Sequence, residues 1–277
     1  MKNNEWKITV IEYGVFANTP RGQNIYLSHW GKNGADVLTD NSANVTLVQG
    51  HGHNIIFDTG YYDEVRFARD GGAGVLRAGE YLAEVGLKPE DIDTVILSHL
   101  HYDHCDNVDL FPNAKVYVGR AEYEGWIQAC ATIPRHHKVV FVYFEERVME
   151  KLRKIEEEGR LVLVDDGEEI YPGISVHLAA GHSFGDQVLA VNTEDGVFVS
   201  TQDAAYTLEN VETMTPMGYG LSQVGMCNAF DVIRRLVNDN WHHVIPGHDI
   251  DTFQKYRSTV FMKDGVHRLT YLPDKPL

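Results

Sequence analysis

With 277 residues, 43% of them hydrophobic and 23% charged, the chain has the composition of a globular protein with a sizeable core. Its net charge of −16, from 24 basic and 40 acidic residues, argues against a nucleic-acid surface, which needs a basic stripe, and against binding to anionic membranes. It leaves an anionic substrate open, because bound metal ions can invert a local field.

Lys7 to Tyr13 alternates apolar and polar residues and predicts a first strand. Residues 14–44 are rich in Gly, Asn and aromatics (Phe16, Tyr26, Trp30) with weak periodicity, which predicts a long loop serving as a flap, a pocket wall or a homodimer contact. Val45–Val48 and Asn54–Phe57 read as hairpin strands around Gln49-Gly50-His51-Gly52-His53. The glycines make that turn solvated, so His51 and His53 are not expected to bind metal. Asp58 ends the second strand, where its carboxylate either orients a metal-bound histidine or bonds the turn backbone. Val75–Val85 has helical spacing with Gly86 as a stop, and Asp93–Leu97 is a buried strand.

That strand runs into Ser98-His99-Leu100-His101-Tyr102-Asp103-His104, three imidazoles and a carboxylate in six residues. On an extended backbone residues two apart share a face, so His99 and His101 can meet one ion. The adjacent Asp103 and His104 diverge and can reach a second. So many polar groups after a buried strand would be costly without a metal, and the donor set suits zinc and similar divalent ions.

Downstream, Ala114–Val118 is a strand and Arg120–Cys130 a helix. The aromatics of residues 139–144 are expected in the core, with a pocket wall as the alternative, and His136 and His137 at the surface. Glu145–Glu158 is an amphipathic helix with Val148, Leu152 and Ile155 inward. Strands follow at Leu161–Val164, Ile174–Leu178, Gln187–Val191 and Gly196–Ser200, then a helix at Val224–Val237, a strand at Trp241–Ile245 and a closing helix at Asp251–Met262. Strands precede helices in both halves and no Pro/Gly/Ser linker divides them. One domain spanning residues 1–277 is expected, with two similar β-then-α layers on one core.

Three more candidates each follow a predicted strand: His182 after Ala179-Ala180-Gly181, Asp203 after Thr201-Gln202, and His248 after Pro246-Gly247. The three cysteines, Cys105, Cys130 and Cys227, form an odd set without metal-type spacing, as expected of free thiols in a reducing cytosol. Cys105 adjoins His104 but is not expected to ligate. Met1–Trp6 does not read as a signal peptide.

His99-x-His101-x-Asp103-His104 followed by His182, Asp203 and His248 resembles the signature of the metallo-β-lactamase superfamily, over Asp58-Thr59-Gly60 to Pro246-Gly247-His248. The resemblance implies an α/β fold, a four-layer αβ/βα sandwich, with a dinuclear site at one edge of its two sheets. It implies that His99, His101 and His182 hold one divalent ion, that Asp103, His104 and His248 hold the other, and that Asp203 bridges them. Zinc is expected, with manganese, iron or cobalt as alternatives. Asp203-Ala204-Ala205-Tyr206 is similar to the Asp-x-x-Tyr of N-acyl homoserine lactonases, and Asp203–Thr207 with Gly247-His248-Asp249 to 4-pyridoxolactonase. This implies a small lactone as substrate, attacked by a metal-bridging hydroxide, with Tyr206 on the carbonyl and Asp103 passing the proton. A buried aromatic is the other reading of Tyr206.

The chain departs from the lactonase pattern at Cys105-Asp106-Asn107, where Asp106 is expected to add negative charge near the metals, and at Gly185-Asp186. A glyoxalase II-like thioesterase is the nearest alternative. An iron oxidoreductase on the same fold is less favoured, because flavodiiron-type members carry Glu at the position of His101.

Overall fold

The structure is a computed structural model, and it describes residues 5–26, 37–63 and 72–274. In chain order the elements are β1 (Lys7–Pro20), α1 (Arg21–Asn24), β2 (Leu38–Gly50), β3 (His53–Phe57), β4 (Gly72–Val75) and α2 (Ala78–Glu84). Next come β5 (Thr94–Leu97), α3 (Tyr102–Cys105), β6 (Lys115–Gly119), α4 (Arg120–Thr132), α5 (Lys138–Phe141) and α6 (Glu146–Glu157). The second half comprises β7 (Leu161–Val164), β8 (Glu169–Tyr171), β9 (Ile174–Leu178), β10 (Gln187–Thr193), β11 (Gly196–Gln202), α7 (Leu208–Thr213) and α8 (Gln223–Val237). It closes with β12 (Val244–Pro246), α9 (Thr252–Lys255), β13 (Val260–Phe261) and β14 (Arg268–Leu272).

One sheet has the order β13-β14-β1-β2-β3-β5-β6-β7, with β4 also on β1. The other has the order β12-β11-β10-β9-β8. The period-two alternation of the strands sorts their side chains into three apolar layers. In β10, Leu189 and Val191 face the large sheet, meeting Ile55, Phe57 and Ile96 between the sheets. Val188 and Ala190 face the other way, onto Phe230 and Ile233 of α8. Val95 and Leu97 of β5 pack outward with Leu82, Trp126, Val148 and Leu152 of the helices over the large sheet. Helix, sheet, sheet, helix is thus the layer order, the expected αβ/βα sandwich.

The amphipathic expectation for α6 holds, with Val148, Leu152 and Ile155 buried. The hairpin of β2 and β3 turns through His51 and Gly52, both at positive φ. Four expectations need correction. Residues 14–44 are not a loop in their described part, because β1 continues to Pro20 and β2 begins at Leu38, paired through Pro20 and Leu38. The arm is polar because it is fastened by side-chain amides: Asn24 and Asn41 exchange hydrogen bonds of 2.7 and 2.9 Å. Trp30 lies outside the described residues. Val75 belongs to β4, so only Ala78–Glu84 of that stretch is helical. Trp241–His243 is a 3-10 turn ahead of the short β12. Residues 251–262 hold only the single turn α9 and the edge strand β13, and β14, which pairs with β1, was not anticipated. Among the described residues no helix is long and apolar enough to cross a membrane.

Candidate metal centre

All seven anticipated ligands lie at strand ends on one edge of the sandwich. Leu97 closes β5, Ser98 and His99 follow it, and His101 sits extended at the N-cap of α3, which carries Asp103 and His104. His182 follows β9, Asp203 follows β11 and His248 follows β12. Two glycines permit the convergence. A Cβ on Gly181 would lie 2.2 Å from the backbone nitrogen of Met226, so the role of this glycine is the close approach of α8. A Cβ on Gly247 would lie 2.6 Å from the Gln202 carbonyl, which lets the His248 loop press against the Asp203 loop.

The donor atoms form two groups. In the first, His101 Nδ1 lies 2.9 Å from both His99 Nε2 and His182 Nε2. Asp203 Oδ2 lies 3.1 Å from His182 Nε2 and 3.8 Å from His99 Nε2. In the second, Asp203 Oδ1 lies 2.9 Å from His248 Nε2 and 3.1 Å from His104 Nε2, with Asp103 Oδ2 3.5 Å from the latter. The donors of His99, His101, His182 and Asp203 gather within 4.8 Å of one another, as do those of Asp103, His104 and His248. One imidazole nitrogen cannot share protons with two others, and His104 Nε2 and Asp203 Oδ1 are buried without hydrogen-bond partners. Converging lone pairs and orphaned buried atoms fit a cation in each group.

Of the remaining ring nitrogens, those of His104, His99 and His248 are braced from outside, whereas His101 Nε2 and His182 Nδ1 are buried without a hydrogen-bond partner. His104 Nδ1 lies 2.7 Å from Asp58 Oδ2, while Asp58 also accepts from the backbone and hydroxyl of Ser98. Asp58 thus orients the candidate ligand His104, and the backbone group it binds is that of Ser98. His99 Nδ1 meets the Ser98 hydroxyl at 2.9 Å, and His248 Nδ1 meets the Ser42 carbonyl at 2.8 Å. Electrostatically the centre is divided. Burial, reinforced by neighbouring imidazoles, holds His99 and His101 well below the usual histidine range. Burial is the largest single influence on His104, His182 and His248 and opposes their charge, but Asp203 together with neighbouring carboxylates outweighs it and raises all three. Asp203 resists protonation: its burial is overcome by His104, His248 and His182.

A cavity of about 420 Å³ opens on the centre, lined by His101, Asp103, Asp203, Tyr206 and His248 and walled by Phe16, Pro20, Val142 and Tyr143. The arm of β1 and β2 is therefore a pocket wall. Among the aromatics of residues 139–144, Tyr143 lines the cavity while Phe144 stacks on Trp126 at 3.9 Å in the core. Tyr206 is 4% exposed, its ring 4.9 Å from His248 and 5.5 Å from His182. Burial and then Asp203 push its phenol well above the ordinary value, so it remains a proton donor.

Cys105 and Asp106, where the chain departs from the lactonase pattern, are both engaged elsewhere. The Cys105 thiol donates to the His101 carbonyl at 2.9 Å, away from the donors. Asp106 is buried against Arg147 at 2.8 Å and Lys151 at 3.3 Å, which neutralise it. His136 and His137 are exposed. His53 pairs with Asp93 at 3.2 Å, outside the centre. Sequence reasoning missed Glu122, Ser183 and Asp186, all buried behind the histidines. Glu122 lay in a stretch read only as a helix, with nothing local beyond Trp126 to hint at its burial.

Comparison with known proteins agrees with this geometry. The model of the metallo-beta-lactamase superfamily matches residues 38–249. An N-acyl homoserine lactonase of Bacillus cereus is 32% identical over 171 residues, covering 61% of this chain and 61% of that protein, so the match spans less than two thirds of this relative. N-acyl homoserine lactonase AiiB of Agrobacterium fabrum is 28% identical over 232 residues, 78% of this chain and 82% of that protein. Among solved structures, a mutant of Bacillus thuringiensis AiiA with N-decanoyl-L-homoserine bound at its active site superposes with a TM-score of 0.71 at 23% identity, covering 91% of this chain and 96% of that one. AidC, a dizinc quorum-quenching lactonase, superposes at 0.69 and 17% identity, covering 99% and 96%.

Proposed function

The chain belongs to the metallo-beta-lactamase superfamily, and on that premise we propose that it is a two-metal hydrolase that opens a small lactone ring, as one domain over residues 1–277. The observation that carries the reading is Asp203, whose two carboxylate oxygens face different histidine groups. His99, His101 and His182 would hold one divalent ion and Asp103, His104 and His248 the other, with Asp203 placed to serve both. The mixed nitrogen and oxygen donors suit zinc, with manganese, iron or cobalt as alternatives. Two such ions would supply hydroxide at neutral pH from water held between them and polarise an ester carbonyl.

The protein's own groups orient the reaction. Tyr206, a neutral phenol on the cavity wall, donates a hydrogen bond to the carbonyl oxygen as negative charge develops there. Asp103, on the same wall, takes the proton released on attack and returns it to the departing ring alkoxide. Among the described residues no lysine or arginine lines the cavity. That favours an uncharged substrate such as an N-acyl homoserine lactone over S-acyl glutathione, whose carboxylates would enter without partners. Support also comes from the lactonase activity named for the Bacillus and Agrobacterium relatives.

A panel of N-acyl homoserine lactones and simple lactones, assayed against S-acyl glutathione with the zinc-loaded chain, tests the assignment. Lactones should be opened preferentially and chelation should abolish turnover; faster hydrolysis of the glutathione thioester would overturn it. Asp58→Asn should weaken zinc at the His104 group by about 10–100-fold, because Asp58 fixes the ring and its basicity. Zinc affinity unchanged in this variant would leave Asp58 serving only the Ser98 turn.

A further inference from the structure

We propose that Glu122 is the positioning residue for the three-histidine half of this centre, so that altering it weakens metal binding there and spares the other half. The proposal rests on the two-metal reading above.

Glu122 is fully buried in the first turn of α4, and its hydrogen bonds run to residues beside the candidate ligands. Its Oε1 accepts from the Leu100 backbone N–H at 2.9 Å and from Trp126 Nε1 at 2.6 Å. The Ser183 hydroxyl lies 2.6 Å from Oε1 and 2.7 Å from Oε2, and the Gly185 N–H donates to Oε2 at 2.7 Å. Leu100 is the residue between His99 and His101. Ser183 follows His182. One carboxylate thus ties together the two loops, distant in sequence, that carry all three histidines. The tie is tight: a Cβ on Gly185 would lie 2.3 Å from the Glu122 backbone nitrogen.

Every partner is a donor. A carboxylate, acceptor at all of its lone pairs, satisfies them; an amide of the same shape would aim N–H at N–H or O–H and leave a buried donor unpaired. The other half of the centre has braces of its own, of which Asp58 also reaches the first half through the Ser98 hydroxyl on His99. Asp58 holds His104, the Ser42 carbonyl holds His248, and the Tyr13 hydroxyl donates to the Asp103 carbonyl at 2.8 Å. None of these runs through Glu122, so the two halves can be uncoupled.

The test is zinc titration of the metal-free chain against a chromophoric chelator, for wild type, Glu122→Gln and Ser183→Ala, with thermal melting as a check on folding. Wild type should bind two ions. Glu122→Gln should weaken one site by at least about tenfold and leave the other at its wild-type affinity. Ser183→Ala should weaken the same site by less. Two unweakened sites in folded Glu122→Gln, or equal weakening of both, would overturn the proposal. Should Glu122→Gln not fold, Ser183→Ala decides on the same split, and wild-type affinity at both its sites would overturn it. Failure of the lactone assignment is separable, since a wild-type chain that binds two ions without opening lactones leaves this titration fully readable.

Discussion

Asp203→Asn should produce a folded chain that retains well under one metal ion in place of two, and lactone hydrolysis lower by about three orders of magnitude. The reason lies in how the carboxylate is shared. Oδ2 lies 3.1 Å from His182 Nε2, and Oδ1 lies 2.9 Å from His248 Nε2 and 3.1 Å from His104 Nε2. An amide keeps one acceptor and turns an N–H toward one of the two groups, where no acceptor waits. It also removes the negative charge that offsets two cations in a buried place, an interaction worth far more there than in water. Loss of any single histidine should be milder, because each serves one group only. Metal analysis of the purified variant with steady-state kinetics checks the result. Two retained ions with wild-type turnover would remove Asp203 from the shared position. Retention of one ion would mean that the groups are more independent than their common carboxylate indicates.

The seven candidate ligands were legible in the sequence for a chemical reason. Few residue types bind divalent metals, each candidate followed an apolar strand, and strand ends on one sheet edge are brought together by the fold itself. The braces were not legible, because their partners are backbone groups. Nothing in Arg120-Ala121-Glu122-Tyr123-Glu124 distinguishes the buried Glu122 from the exposed Glu124. The difference arises only when Leu100, Ser183 and Gly185 arrive from elsewhere in the chain. Asp106 misled in the opposite direction, since its neutralising partners Arg147 and Lys151 sit more than forty residues away. The arm of β1 and β2 was hidden because its strands are held by asparagine amides and backbone pairing, which leave no alternating apolar pattern. At the C-terminal end, Phe253 and Tyr256 are three residues apart and buried, which imitates a helix over 251–262. Instead β13 pairs with β14, and β14 pairs with β1 some 260 residues earlier; no local pattern encodes such a pairing.

Tyr206→Phe separates chemistry from architecture. The ring packs between the edges of His182 and His248 and against the layer beneath α8, and phenylalanine preserves all of those contacts. Only the hydroxyl is lost, and Tyr206 is no member of either donor group. Metal content should therefore stay at two ions and the melting temperature should move little. If the hydroxyl donates to the carbonyl oxygen as charge accumulates, its loss should lower kcat by about 100-fold, the scale of one oxyanion donor. Because that bond strengthens only toward the transition state, kcat and kcat/KM should fall together while KM changes little. A rise in KM at constant kcat would assign Tyr206 to substrate binding, and unchanged kinetics would reduce it to the packing role that its burial alone explains.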